Sequence, residues 1–147
     1  MHIVHEADDE QNGIGLSAVG ILFSVNDYTA NLSPEEQEII DEFFDSLNFE
    51  DLSNPQIPEA NFAELMNLAD FDNRWVYLGS VTTPPCQSGV YWNLLKTVYP
   101  ISQRHLDLFK GQLAQGEEGN LADFGNYRET QPINYHRVIS VTGKPRE

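Results

Sequence analysis

The sequence predicts a mainly β fold with helices inserted between its strands. Three observations carry that prediction. The continuous apolar run "LSAVGILFSV" at 16–25 needs cover on both faces, as a central strand has. Two segments, 33–47 and 102–114, open on a serine cap and keep an apolar stripe at helical spacing. The strands do not alternate regularly with helices, which disfavours a doubly wound parallel fold.

Taken in order, "MHIVHE" at 1–6 is β-rich and begins abruptly, as if a strand had been cut. "ADDEQNG" at 7–13 is polar and ends in Asn-Gly, a turn signal. After the central strand, "SPEEQEIIDEFFDSL" has Ser33 as N-cap, Pro34 at N1 and Glu36 completing a capping box. Its stripe is Ile39, Ile40, Phe43, Phe44 and Leu47. "SNPQIPEA" at 53–60 reads as a loop and "NFAELMNLA" at 61–69 as a short helix. "RWVYLGSV" and "GVYWNLLKTVYP" are strands on either side of "TTPPCQS". "SQRHLDLFKGQLA" is predicted as a helix capped by Ser102, with Leu106, Phe109 and Leu113 facing inward. "QGEEGNLADFGNY" at 115–127 is a loop, and "INYHRVISVT" at 133–142 a last strand.

The 147 residues suit one domain with a core of its own. A net charge of −15 repels phosphate backbones and anionic lipid, which argues against nucleic acid and membrane surfaces as partners. The longest apolar stretch, 13–25, falls short of the roughly 20 residues a membrane span needs. It has neither the basic flank nor the cleavage pattern of a signal peptide. No repeat or low-complexity tract is present.

Chemistry-bearing motifs are few. Nothing approaches a phosphate-binding glycine loop. Cys86 has no basic residue within nine positions to depress its thiol pKa. A Ser-His-Asp arrangement stays open, although no G-x-S-x-G elbow exists. His2 and His5 look like a metal pair, yet on a strand they point to opposite faces, while His2 and Val4 share one. A catalytic zinc needs three protein ligands. From the residues alone, each of these histidines reads as a hydrogen-bonded structural residue.

A resemblance adds to this reading. "MHIVH", "AVGIL", "YLGSVTTPPCQSGVYW", "PISQRHLDLF" and "GNYRETQPINYHRVI" resemble, in order, blocks of the C-terminal part of the α-class carbonic anhydrases. The match spans residues 1 to 142, and the TTPPC block is its most specific part. It implies a large, twisted, mostly antiparallel sheet with peripheral helices, incomplete in this chain. It also implies the family's chemistry, in which a zinc ion activates water for the reversible hydration of carbon dioxide to bicarbonate.

The resemblance places His2 on the third zinc ligand and His5 on a structural histidine of the same strand. Thr82 falls on the hydroxyl that orients the zinc-bound nucleophile, and Thr83 lies beside the substrate. Val4, Ala18, Val81, Val90 and Trp92 fall on the apolar wall that holds carbon dioxide. Pro84 and Pro85 fall on a cis peptide bond that stiffens the threonine pair. Arg128 falls in a structural segment. Cys86 occupies a position that secreted members join to an upstream cysteine absent here, which together with the acidic surface points to secretion.

Departures accompany the match. The other two histidine ligands belong to an upstream H-x-H strand that these residues do not include, so Zn2+ is expected only in a complete domain. Ser88 stands where a glutamate is common, and Ala18 replaces a valine. The expectation is a single partial domain over 1–147 with a variable, acidic helical insert at about 26–58, completed by a missing N-terminal segment or a complementing chain. The alternative is a non-catalytic carbonic-anhydrase-like binding or assembly module that lacks the metal, with its acidic face as contact surface.

Overall fold

The computed structural model describes residues 1–11, 14–53, 57, 59–114, 127–133 and 137–143, with side chains except at 8–11 and 14. Five strands form one mixed sheet: β1 (His2–Gln11), β2 (Ile14–Ser24), β3 (Asn73–Ser80), β4 (Ser88–Pro100) and β5 (Ile139–Thr142). Their order across the sheet is β1-β2-β4-β3-β5. The pairs β1·β2, β3·β4 and β3·β5 are antiparallel. The helices are α1 (Pro34–Ser46), α2 (Phe62–Leu68) and α3 (Gln103–Leu113).

The mainly β architecture with helices between strands is as the sequence predicts. Two boundaries differ. Pairing of β1 with β2 is regular from His2↔Gly20 to Glu6↔Leu16, shifts register, and resumes at Gln11↔Ile14. The polar stretch 7–11 therefore stays in the strand, and residues 12–13 of the predicted turn lie outside the described residues. Backbone pairing makes no demand for apolar side chains, and a strand at the sheet's edge tolerates charge. The last strand is shorter than predicted, with β5 covering only 139–142. Part of the 53–60 loop, all but Tyr127 of the 115–127 loop, and 134–136 lie outside the described residues.

The chain packs as two compact units, Met1–Leu22 with Asp70–Val98 and Tyr127–Glu147, and Phe23–Ala69 with Tyr99–Asn126. In the first, Ala18, Ile21, Val76, Val90, Trp92 and Leu95 are buried. Lys96 fastens β5 there. Its ammonium donates to Ser140 Oγ at 2.7 Å, the Val141 carbonyl at 3.0 Å and Thr142 Oγ1 at 3.2 Å, and it sits 4.5 Å from the centre of the Trp75 ring.

The second unit holds the helices. The capping box of α1 is formed as the sequence predicts: Ser33 Oγ accepts from Glu36 N at 3.2 Å, and the Glu36 carboxylate accepts from Ser33 N at 2.8 Å. Ile40 and Phe43 are buried from its stripe, and Phe44 meets Phe23 edge-on with centroids 5.1 Å apart. Leu65 of α2 is also buried.

Ser102 caps α3 as predicted, accepting from His105 N at 3.1 Å. Its inward face is only partly the predicted one, since Leu106 and Leu113 are half-buried but Phe109 is not. His105 is the buried residue, 3% exposed, while Phe109 is 38% exposed and only touches the Phe49 ring. The face takes in polar residues because these are satisfied inside. His105 has both ring nitrogens partnered, and Gln112 donates to the carbonyls of Phe49 at 3.0 Å and Asp51 at 2.7 Å.

Asp45 of α1 accepts from Arg104 Nη1 at 2.6 Å, and Arg104 Nη2 also donates to Glu50 at 2.9 Å. The hydrogen bond from Arg104, then the one from His105, hold the Asp45 carboxyl below its ordinary value of 3.8. A carboxyl depressed by folding contributes stability that is fully present above its unfolded pKa and is lost as pH falls through its folded one. Acid titration followed by the helical circular dichroism band is therefore expected to show a loss below about pH 4 that is shallower in Asp45→Asn.

Candidate functional site

Strand alternation and pairing collect five of the predicted site residues, His2, Val4, Ala18, Val90 and Trp92, on one face of the sheet. His2 and Val4 of β1 stand opposite Gly20 and Ala18 of β2. Ala18, Val90 and Trp92 form a buried cluster, with Leu16, Tyr77 and Val81 packed against it. Tyr77 pairs with Trp92 across β3 and β4, and their rings lie nearly parallel at 12°, with centroids 6.3 Å apart. The His2 imidazole meets the Trp92 ring edge-on at 4.8 Å. His5, opposite Ser17, belongs to the other face of β1.

Trp92 needs space on this face, and glycine provides it. A Cβ on Gly79 would lie 3.1 Å from Trp92 Cδ1 and 3.0 Å from the Tyr77 ring, tighter than most real contacts. The indole is then fixed by a hydrogen bond from Nε1 to the Ser80 carbonyl at 3.0 Å. Arg128 reaches the same residue, donating from Nη1 to Ser80 Oγ at 2.6 Å. Ser80 thus joins the indole to the closing segment. The sequence reading missed it, since a serine at a strand end carries no signal of its own.

The segment between β3 and β4 carries the threonines. Val81 N donates to the Gln87 carbonyl at 2.9 Å, and Cys86 N to the Thr83 carbonyl at 2.8 Å. The Pro84–Pro85 bond is cis, so Thr83 to Cys86 is a turn with a cis proline at its third position. The Thr82 and Thr83 side chains are exposed, next in sequence to Val81 of the apolar cluster. Cys86 is a half-buried free thiol with a left-handed backbone, φ 59°. Val4 is on the predicted face but 58% exposed.

Burial lowers the His2 pKa from its ordinary value, and the positive charge of the chain terminus lowers it further. The imidazole is therefore neutral at neutral pH, the form that ligates metals. A catalytic zinc takes three protein ligands. The resemblance assigns one of these places to His2, and His5 faces the other way. Among the described residues no three His, Cys, Asp or Glu side chains converge on a point. By themselves these residues do not fit the metal.

A model of the eukaryotic-type carbonic anhydrases matches residues 1–142. The chain belongs to that family. Human carbonic anhydrase 3 is 27% identical over 154 residues, an alignment covering 98% of this chain and 55% of that protein. Human carbonic anhydrase-related protein is 41% identical over 73 residues, or 44% of this chain and 24% of that one. Among solved structures, the α-carbonic anhydrase of Thermovibrio ammonificans in complex with the inhibitor sulfanilamide superimposes with a TM-score of 0.61 at 25% identity. It covers 93% of this chain and 51% of that structure. The chain thus spans about half the length of the relatives it matches over nearly its full extent. Among the described residues no helix is long and apolar enough to cross a membrane.

Proposed function

We propose that this chain forms one wall of a carbon dioxide hydratase cavity and works in zinc-dependent hydration of carbon dioxide to bicarbonate as part of a complete carbonic anhydrase domain. The observation that carries the reading is the seating of a neutral His2 against Trp92, at the margin of the apolar Ala18–Val90–Trp92 cluster. An apolar wall suits an uncharged gas that makes few hydrogen bonds. The hydroxyls of Thr82 and Thr83, on a segment closed by two backbone bonds, supply fixed polar groups at its rim.

The 147-residue chain by itself is expected to retain no zinc after dialysis and to hydrate carbon dioxide no faster than buffer. Stopped-flow turnover by it would overturn this part of the reading. In a domain completed by the two further ligands, His2→Ala is expected to lose the metal. Thr82→Ala should keep the metal and lose on the order of 10²-fold in rate, because what it removes is orientation. A rate unchanged in Thr82→Ala would remove that residue from the chemistry.

A second reading is a metal-free binding or assembly module. It is favoured by the similarity to human carbonic anhydrase-related protein, 41% identical over 73 residues. Zinc content of the complete domain separates the two: one equivalent supports the hydratase and none supports the module.

A further inference from the structure

The threonine segment leaves the sheet at a bulge. Gly79 stands opposite Val90, but the next residue, Ser80, stands opposite Ser88. Gly89 is therefore extra on β4, and it takes the left-handed backbone such a bulge uses, φ 96°. The ladder ends at Ser80, and among the described residues the hydrogen bonds of 81–87 stay inside the loop. Val81 N–H donates to the Gln87 carbonyl and Cys86 N–H to the Thr83 carbonyl. Those bonds set the shape of the loop and leave its placement against the sheet open. Packing of Val81 on the apolar cluster is one constraint on placement. The others converge on Ser80. Trp92 Nε1 holds its carbonyl at 3.0 Å, and Arg128 Nη1 holds its hydroxyl at 2.6 Å.

We propose, resting on the hydratase reading of Thr82, that Arg128 is a positioning residue for that reaction. Acting through the Ser80 hydroxyl, it fixes where the loop starts and hence where the Thr82 hydroxyl stands. Thr82 is two positions beyond Ser80, so any rotation about the Ser80 backbone displaces it. The indole alone permits such rotation, because a single bond to the carbonyl is a hinge. A second bond, to the side chain of the same residue, removes the freedom. Arginine suits this task. Its guanidinium is always charged and only donates, so the Ser80 hydroxyl is left to accept. A charged donor makes a stronger bond than a neutral one. Arg128 and Ser80 are both half-buried, which limits competition from water.

Amide relaxation by NMR on the 147-residue chain is the first readout. The Thr82 and Thr83 amides are expected to be as ordered as a strand, with order parameters of about 0.85. In Arg128→Met, which keeps an apolar stem and loses the donor, they should fall below about 0.6. Arg128→Lys keeps a charge and a donor and should restore part of the order. Ser80→Ala removes the acceptor instead and should loosen the loop as Arg128→Met does. Because Arg128 acts through Ser80, adding Arg128→Met to Ser80→Ala should change nothing further, whereas independent effects would add. In the complete domain, Arg128→Met should lower kcat about tenfold with KM unchanged, because a loosened hydroxyl is correctly oriented less often. Zinc content should hold, since His2 lies on β1 and Arg128 bonds to the end of β3.

Unchanged Thr82 order in Arg128→Met would overturn the proposal, as would additive losses in the double variant. Arg128→Lys restoring none of the order would overturn the role given to the donor. If Arg128→Met loses the circular dichroism of the sheet, Ser80→Ala decides, because it removes the same bond and leaves the closing segment intact. A complete domain without zinc would sink the hydratase reading, while the amide readout still decides whether Arg128 sets Thr82. A zinc-loaded, active domain whose kcat ignores Arg128→Met would sink the positioning role alone.

Discussion

Trp92→Ala is expected to lower stability by about 3–5 kcal/mol, the range for truncating a buried aromatic to alanine. The indole is 6% exposed and joins features that no smaller side chain spans. Its ring lies against His2 and Tyr77, its edge fills the space that Gly79 leaves open, and its N–H holds the Ser80 carbonyl. Urea unfolding followed by tyrosine fluorescence and circular dichroism measures the loss. Trp92→Phe separates packing from hydrogen bonding. It keeps most of the apolar volume and strands the carbonyl, so a smaller loss of about 1–3 kcal/mol is expected.

The same substitution has a consequence for the site. Burial is the larger of the two causes that lower the His2 pKa. Removing the indole exposes the imidazole, so its pKa should rise back toward the ordinary histidine value in Trp92→Ala. A proton titration of the His2 ring signals by NMR reads this directly. An unmoved pKa in Trp92→Ala would mean that the indole does not supply the burial.

How far the sequence was legible depended on how local the cause was. The cap of α1 is written in four consecutive positions, from Ser33 to Glu36, and it formed as read. The cis Pro84–Pro85 bond followed from a resemblance confined to one block, and the structure carries it. The shared face of His2 and Val4 followed from strand period, while Ala18 came from the resemblance and the ladder sets it opposite Val4. What escaped reading depends on partners distant in sequence. Ser80 matters because Trp92 and Arg128 converge on it from 12 and 48 residues away. The inward face of α3 was read only in part for the same reason. Leu106, Phe109 and Leu113 make the apolar pattern, but His105 and Gln112 find partners on α1 and on 49–51 that no local window contains.

His105→Ala should be the most damaging single change among the helices, at about 2–4 kcal/mol from the cavity and the unpaired groups together. The ring stacks on Phe44 at 5.6 Å, with Nδ1 2.8 Å from Ser102 Oγ and Nε2 3.0 Å from Asp45 Oδ1. It therefore serves at once as packing for α1 and as polar partner to the cap of its own helix. His105→Leu divides these roles. It restores apolar volume against Phe44, and Ser102 can still cap, because the bond it accepts comes from the backbone N–H of position 105. Asp45 keeps Arg104 and has access to water, being half exposed. If packing dominates, His105→Leu recovers most of the loss and amide exchange in α1 and α3 slows again. If the polar network dominates, His105→Leu stays as weak as His105→Ala, while His105→Gln, which retains hydrogen-bonding atoms, recovers more. The burial of the ring and the solvent access of Asp45 together favour the first outcome. A leucine no better than alanine would show instead that α3 is held to α1 by hydrogen bonds.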